Sequence, residues 1–568
     1  MKREVNKLSE SEFDLLVIGG GIFGACSAWE ACLRGLKVAL IEAEDFCSGV
    51  SANSYKIVHG GIRYIQHLDI PRVRASARER SALIRVAPHL VKPLPVLVPT
   101  YGYGMLGKPI LGAGMLLYDF FTLDRNKEIS DPERKIPFTQ FLSREEVLKE
   151  YPDIDSNGLT GACVFNDGRL YNPTRLVWEF VHSAIDRGLI ACNYIEAEDL
   201  ILEDNRVKGV IARDTLTQSR VTIKAKMVLN ASGPWTEKWL QKNTKQPSSN
   251  IKPYKIEGTY SRDACFVVNR KLETPYTLAV QGQTHDPDAL ISRPARHLFL
   301  SPWRDYTLVG VWHIVTDRNP STVSVDKEEI ESYIKEVNAS YPKLNLSMDD
   351  VINWNAGLVP FGENEEGNEN LSYGKRSHLL DHAQLNGVEG LVSLIGVRYT
   401  MGRGEAEKAI DLVQRKFSKP VTRPNSDFVK LRNAHFANFQ ELVNKIKSKF
   451  PEIEHKTAVS LAHNHGSNFA TVLKAAESQK DLIETFTHTA TTKAEIIYVC
   501  QNEMVERLAD VVFRRTDFAT AGNPGEQQLT SCAELVAKEL NWDNERTNQE
   551  LVAVRKRFAE YTNPIYKD

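Results

Sequence analysis

Gly19, Gly21 and Gly24 stand in the spacing G-x-G-x-x-G, and Glu42 follows 18 residues after the last of them. Such a set binds rather than breaks bonds. The first glycine permits a tight turn, the second lets backbone approach a pyrophosphate, and the third lets a helix pack closely. The helix that opens there offers oriented N–H groups and a partial positive charge to the phosphates. Glu42 is placed to accept hydrogen bonds from both hydroxyls of a ribose, and its charge disfavours a 2′-phosphorylated nucleotide. The flanking runs agree: 13–18 is short and apolar, 25–33 has helical spacing with Gly35 as a stop, and 37–42 reads as a second strand. Together they form a βαβ unit of about 30 residues. The glycines do not separate a nicotinamide from a flavin.

The loop after Glu42 does. It runs Asp45-Phe46-Cys47-Ser48-Gly49-Val50-Ser51-Ala52-Asn53-Ser54 and then Tyr55-Lys56-Ile57-Val58-His59-Gly60-Gly61-Ile62-Arg63-Tyr64. It is small and hydroxyl-rich, and it leads into a Gly-Gly pair and a basic-aromatic pair. This stretch resembles the flavin-contacting loop of the FAD-dependent glycerol-3-phosphate dehydrogenase family, which typically ends K-L-x-H-G-G-x-R-Y. The resemblance continues at Asp167-Gly168-Arg169, at 172–177, at Asn230-Ala231-Ser232-Gly233-Pro234-Trp235 and at 396–403. It recurs in the tail at Glu503-Met504 and Arg514-Arg515-Thr516, in order over nearly the whole chain.

The resemblance implies FAD as cofactor, contacted by Gly19, Gly21, Gly24, Glu42, Ser48, Ser51, Ser54, Lys56, His59, Gly61, Ala231, Gly233, Gly396, Arg398, Tyr399 and Thr400. The turn after Asn230 is expected near the adenosine half. The N–H groups of 396–404 are expected to face the flavin pyrimidine and stabilise negative charge on the reduced ring. The reaction implied is oxidation of the secondary alcohol of glycerol 3-phosphate, or of a related anionic polyol, by hydride transfer to flavin N5. Electrons would then pass to a quinone or another acceptor. Such a reaction needs a C–H held over N5, a base for the hydroxyl proton and a clamp for the remote anion. Arg63 and Tyr64 match family positions that contact substrate. His59 and His313 are the proton-acceptor candidates, and Arg398 is a further basic group of the catalytic set.

The substrate side departs from the family's pattern. Cys265 stands where a histidine of K-G-x-H is common, and Val359 of Gly357-Leu358-Val359-Pro360 replaces the arginine of G-x-R-P. Arg398 stands for the lysine of G-G-K-x-T-T-Y-R, and G-T-T-D has become Gly310-Val311-Trp312-His313. Losing a phosphate-binding arginine matters, because a bidentate charge-assisted contact is among the stronger hydrogen bonds. Arg398, Arg304 and Arg403 are the expected replacements. An altered substrate follows more readily than lost catalysis. The alternatives are a flavin oxidase or dehydrogenase acting on an amino acid, hydroxy acid or modified sugar, and a non-catalytic flavin-bound partner protein.

These residues require a scaffold. Apolar runs at 220–229, 264–268, 298–300, 307–312 and 391–395 read as strands, and 174–187 and 327–337 as helices. After about residue 425 only helical spacings remain, at 436–450, 468–476, 493–511 and 532–540. The expected fold is an α/β FAD-binding domain, Rossmann-like and of glutathione-reductase/D-amino-acid-oxidase type. It is interleaved with a β-rich substrate domain and followed by an all-α C-terminal domain. The FAD domain is expected from 11–100, 155–235 and 385–420, the substrate or cap domain from 101–154 and 236–384, and the helical domain from 425–568, with 419–424 as linker.

Composition narrows the class. The chain has 568 residues, 42% of them hydrophobic and 25% charged, which is globular and neither disordered nor coiled coil. Its 71 Lys+Arg and 73 Asp+Glu give a net charge of -2, so no nucleic-acid partner is expected. Eight cysteines without a C-x-x-C pair suggest a reducing compartment and no metal site. His463-Asn464-His465 is read as a helix end. Met1–Glu12 lacks an apolar signal core, so a cytoplasmic location is expected. The interrupted apolar stretch 101–123 is too broken to span a bilayer; it reads as packed loop and helix, with peripheral contact at the inner face of a membrane, and a homodimer, left open.

Overall fold

The computed structural model describes residues 1–561 apart from 103, 105–106, 245–258, 283–296, 317–319, 321–322, 362–376, 418–419 and 521. Lys419 of the expected linker lies outside the described residues.

Two sheets carry the site. In the first, strand Phe13–Ile18 lies between Val38–Ile41 and Arg220–Asn230, parallel to both. Leu391–Ile395 and Ile190–Cys192 extend it on either side, also in parallel. Parallel strands covered on both faces read as continuous apolar runs, and Val38–Ile41 is buried at every position. Helices Ile22–Leu33, Pro173–Ile185 and Gly402–Lys416 pack together on this sheet. Strands Ile195–Glu203 and Arg206–Asp214 continue antiparallel from Arg220–Asn230.

The second sheet runs in the order Val351–Phe361, Thr259–Val268, Tyr306–Thr316, His297–Trp303, Thr277–Gln281, Val91–Tyr101, Leu159–Leu170, Ile57–Val58. Val91–Tyr101 and Leu159–Leu170 thus pair with each other, and Val91–Tyr101 pairs with Thr277–Gln281 of the 236–384 region, so both strands belong to the second sheet. His378–Asp381 joins the first sheet instead.

The tail is helical, with its own core that includes Leu442, Ile446, Leu461, Val499, Val536 and Val554. The expected helix 493–511 is interrupted: it is Lys493–Asn502 and then Leu508–Asp510. Glu503 sits at the break because its carboxylate is drawn to Arg175 on the first sheet's helix. The stretch expected as one helix at 468–476 is likewise split, into Phe469–Val472 and Lys474–Ser478. Helix Asn544–Tyr561 was not expected at all.

Buried charges fasten the tail to the body. Asp45, three residues past Glu42, accepts from Arg514 Nε (2.6 Å) and from Arg515 Nη1 and Nη2 (2.7 Å each). Asp517 accepts from Arg304 Nη2 (2.8 Å), the Tyr171 hydroxyl (3.0 Å) and Ser460 Oγ (2.8 Å). The Arg514-Arg515 pair is therefore a packing element.

Candidate active site

A cleft of about 1860 Å³ runs from the C-terminal ends of the first sheet's parallel strands to the face of the second sheet. This is where open α/β sheets place their ligands. Gly19 turns the chain at φ +103°, and a Cβ there would lie 2.7 Å from the Ala231 carbonyl oxygen. Gly24 is buried against the Gly19 carbonyl, where a side chain cannot enter, so it serves helix packing rather than the cleft. Gly21, the N-cap of helix Ile22–Leu33, lines the cleft without a side chain. Ser51 Oγ accepts from Ile22 N–H at 3.0 Å.

Glu42 Oε2 accepts from Gly20 N–H (2.6 Å) and Oε1 from Glu44 N–H (3.0 Å), which fixes the carboxylate at the cleft wall. Each oxygen keeps a lone pair for a further donor. Burial pushes its pKa up to about 7, against the two N–H donors that favour the anion. Ser54 lines the same wall, and its buried hydroxyl has no hydrogen-bond partner among the described residues. On the far side, Ala231, Gly233, Gly396, Tyr399 and Thr400 face the cleft. The Tyr399 hydroxyl donates to the Pro173 carbonyl at 2.8 Å, pinning that turn.

A glycine turn that admits no side chain, a fixed ribose-facing carboxylate and an orphaned hydroxyl fit a flavin dinucleotide. Ser48 and Gly61 line the cleft as expected, but Lys56 does not. Its ammonium is buried behind the wall, 5.0 Å from the Trp303 ring centroid, and burial lowers its pKa to about 8. The reason is its left-handed backbone (φ 60°), which turns the side chain toward the second sheet's core.

The chemistry-bearing residues gather at the other end. His59 is half-exposed in the cleft, with Nδ1 2.9 Å from Asp167 Oδ2. The other Asp167 oxygen accepts from Gly60 N–H at 2.6 Å, and His59 N–H donates to Thr400 Oγ1 at 3.1 Å. Arg63, Tyr64 and Arg398 line the same space. Arg398 Nη1 donates to Ser76 Oγ (3.0 Å), and its Cζ lies 5.2 Å from the Tyr64 ring centroid. Across the cleft, His313 faces Asp263 in strand register, with Nδ1 2.7 Å from Oδ1. Cys265 and Val359 line that wall too.

Two expected replacements for the missing arginine are elsewhere. Arg403 is buried in a bidentate pair with Glu79 (2.9 and 2.5 Å), and Arg304 is committed to Asp517. Among the described residues no group of His, Cys, Asp and Glu is arranged to hold a metal ion. His463 stacks on Tyr171 at 3.9 Å, and His465 Nε2 is 2.8 Å from Glu495.

Sequence reasoning passed over Asp167 as a site residue, although it was one of the resembling blocks. It also missed the first turn of helix Ile70–Val86 with Arg72, and the cleft-lining face of helix Asn544–Tyr561 with Lys556 and Arg557. A D-x-P signal at Asp69–Pro71 marked the first of these helices.

Comparison with known proteins settles the class. The FAD dependent oxidoreductase family matches residues 14–392, and the C-terminal domain of alpha-glycerophosphate oxidase matches 425–547. The chain belongs to the FAD-dependent oxidoreductase family. It is an FAD enzyme of D-amino-acid-oxidase type with a helical C-terminal domain. Its relatives within this flavoprotein family include a glycerol-3-phosphate dehydrogenase of Synechocystis sp., 28% identical over 573 residues and 99% of each chain. An aerobic glycerol-3-phosphate dehydrogenase of Bacillus subtilis is 26% identical over 99% of this chain and 98% of its own. A solved glycerol-3-phosphate dehydrogenase from Bacillus halodurans, complexed with FAD, shares the fold with a TM-score of 0.74 at 24% identity, covering 99% of this chain and 98% of that one.

Proposed function

We propose that this flavoenzyme oxidises the secondary alcohol of glycerol 3-phosphate or a closely related anionic polyol. The observation that carries the reading is the His59–Asp167 pair, set in one cleft with Arg63, Tyr64 and Arg398 and continuous with the dinucleotide turn. The names of the full-length relatives support the alcohol over an amino acid. Bound FAD supplies the two-electron acceptor for the substrate C–H. The protein's own part is proton transfer and orientation. Asp167 accepts from Nδ1–H of His59, which leaves Nε2 as the acceptor for the hydroxyl proton. Asp167 is itself held by Gly60 N–H, so the imidazole cannot swing away. Arg63 and Arg398 grip the anionic end, and Tyr64 packs beneath the Arg398 guanidinium.

The anaerobic holoprotein should lose its yellow colour on adding glycerol 3-phosphate. Bleaching by hydroxy acids or amino acids but not by this substrate would overturn the reading.

The three-part division of the chain belongs to the proposal: a dinucleotide-binding body on the first sheet, a substrate-facing second sheet, and the helical tail. So does a cytoplasmic, membrane-peripheral setting with a quinone as electron acceptor, supported by helix Lys108–Phe121. That helix buries Gly112, Met115 and Tyr118 and lines the cleft with Ile110, Leu111 and Gly114. Its outer face exposes Leu116, Leu117 and Phe120, the last at 65%, with Leu123 just beyond. An apolar stripe one helix away from the cleft suits an interfacial helix and an apolar acceptor. Among the described residues no helix is long and apolar enough to cross a membrane. Flotation with anionic vesicles that is lost in Leu116→Glu/Phe120→Glu supports this; a homodimer that buries the stripe, seen by light scattering, would replace it.

A further inference from the structure

We propose that Arg72 supplies the anion-binding charge missing at position 359, so that the substrate's phosphate is held by the wall formed by residues 61–72 rather than by the second sheet. The inference rests on the proposed reading of the substrate as a phosphorylated alcohol.

The two walls differ in charge. Among the described residues, those of the second sheet's strands Thr259–Val268, Tyr306–Thr316 and Val351–Phe361 that line the cleft include no lysine or arginine; they include Asp263, His313 and Val359. An anion docked there would face a carboxylate and an isopropyl group. The opposite wall carries Arg63 and Arg72, with Arg398 beside them. The remaining cleft cations sit on helices Thr236–Thr244 and Asn544–Tyr561.

Arg72 and Arg398 converge on one ring. Their Cζ atoms lie 5.5 and 5.2 Å from the Tyr64 centroid. Ser76 Oγ orients Arg398, while Asp69 Oδ2, 3.1 Å from Arg72 Nε, orients Arg72. That ion pair does not amount to a hydrogen bond, and Arg72 Nε is buried without one among the described residues. Asp69 is also the N-cap of helix Ile70–Val86, accepting from Arg72 N–H at 3.2 Å. Its charge is therefore shared between the helix end and the guanidinium.

Helix stability does not account for Arg72. It occupies the first turn, where the helix dipole disfavours a cation and favours an acid. A guanidinium there, lining a cleft 5.5 Å from the Tyr64 ring centroid, is accounted for by an anion bound at that wall. The same helix end adds its own partial positive charge to that anion. Planar guanidinium groups suit the tetrahedral oxygens of a phosphate through paired N–H donors.

The test uses FAD-loaded protein. Rapid anaerobic mixing gives an apparent Kd for glycerol 3-phosphate and a limiting rate of flavin reduction. Arg72→Gln should raise that Kd by about 30-fold or more, with the limiting rate changed less than threefold. Arg72→Lys should recover part of the loss, and slow reduction by uncharged glycerol should not change. Adding Val359→Arg to Arg72→Gln should restore affinity at least fivefold, by returning a guanidinium to the sheet wall. An unchanged Kd in Arg72→Gln, or an equal loss for glycerol, would overturn the assignment. Inorganic phosphate provides a separate arm, read as a perturbation of the oxidised flavin spectrum. If the wild type is not bleached by glycerol 3-phosphate, the substrate reading fails. Arg72 as an anion site then stands only if Arg72→Gln weakens phosphate binding, and falls if it does not.

Discussion

At the scale of single residues, the cleft holds two imidazole–carboxylate pairs on opposite walls. His59–Asp167 is tied to Gly60 N–H and Thr400, on the turns that border the cofactor end. His313–Asp263 is a cross-strand pair of the second sheet, and Ser261 Oγ also lies 2.7 Å from Asp263. Removing a general base typically costs about 10²–10⁴ in rate. His59→Gln should therefore lower the limiting rate of flavin reduction by that factor, whereas His313→Gln should act mainly on substrate affinity. Stopped-flow reduction of the two variants separates the roles, and equal losses of rate in both would reassign the base. Asp167→Asn should resemble His59→Gln, because it withdraws the acceptor that leaves His59 Nε2 ready for a proton.

At the scale of elements, the joint between body and tail rests on a few buried ion pairs. Asp45 has no exposed surface and is met by two guanidinium groups. Removing one partner of a buried pair strands the other charge, at a cost of about 3–5 kcal/mol. Asp45→Asn should lower the urea midpoint accordingly. It should also weaken FAD retention, since residue 45 follows directly from the Glu42 turn; gel filtration with absorbance at 450 nm reads the flavin left on the protein. Elements of this kind were unequally legible. Most of the parallel strands could be read, Val38–Ile41 and Leu391–Ile395 because double burial makes them uninterrupted apolar runs; Ile190–Cys192, three residues long, could not. Leu159–Leu170 could not: its second half carries Asn166, Asp167, Gly168 and Arg169, polar because the site needs them. Val91–Tyr101 was hidden by Pro93, Pro95 and Pro99, which normally argue against a strand. All three are odd-numbered, so their missing N–H groups fall along one side of the strand, and the pairing with Leu159–Leu170 still runs its whole length. The cofactor end was legible because glycines and hydroxyls have fixed spacing there. Arg72 and the Arg398–Ser76 contact are products of tertiary packing, which no local pattern encodes.

At the scale of the whole molecule, acidity acts on the joint. Burial lowers the pKa of His89, His182 and His465 to about 3, and that of His463 well below its ordinary value. His463 bonds the His89 carbonyl, and Arg175 beside His465 reaches Glu503, so these rings line the contact between body and tail. Groups depressed in this way contribute stability above their unfolded value near 6.5 and lose it as the pH falls toward 3. Glu42 and Glu179, raised to about 7 by burial, act in the opposite sense. Their stabilisation is present below about 4.5 and is lost as the pH rises through 7. Burial raises Glu79, Glu495, Glu506 and Asp510 in the same way, so the two sets oppose each other and the melting temperature should change little between pH 7.5 and pH 5. A steep change in either direction, read by calorimetry, would refute this balance.

The helix Asn544–Tyr561 gives the cleft a history as well as a shape. It buries Leu551, Val554 and Phe558 in the tail while turning Ala553, Lys556 and Arg557 to the cleft wall. More than 500 residues separate Gly19 from Ala553. At ribosomal speeds of about 5–20 residues per second, roughly half a minute to two minutes passes between making the glycine turn and making this wall. During that interval the cleft lacks the wall that Ala553, Lys556 and Arg557 provide. Afterwards it has a wall built by the last helix to be made among those described. Flavin scarcity while the chain is being translated should therefore leave apoprotein that loads more slowly once complete, a difference that flavin-binding rates of apoprotein with and without residues 544–561 would read.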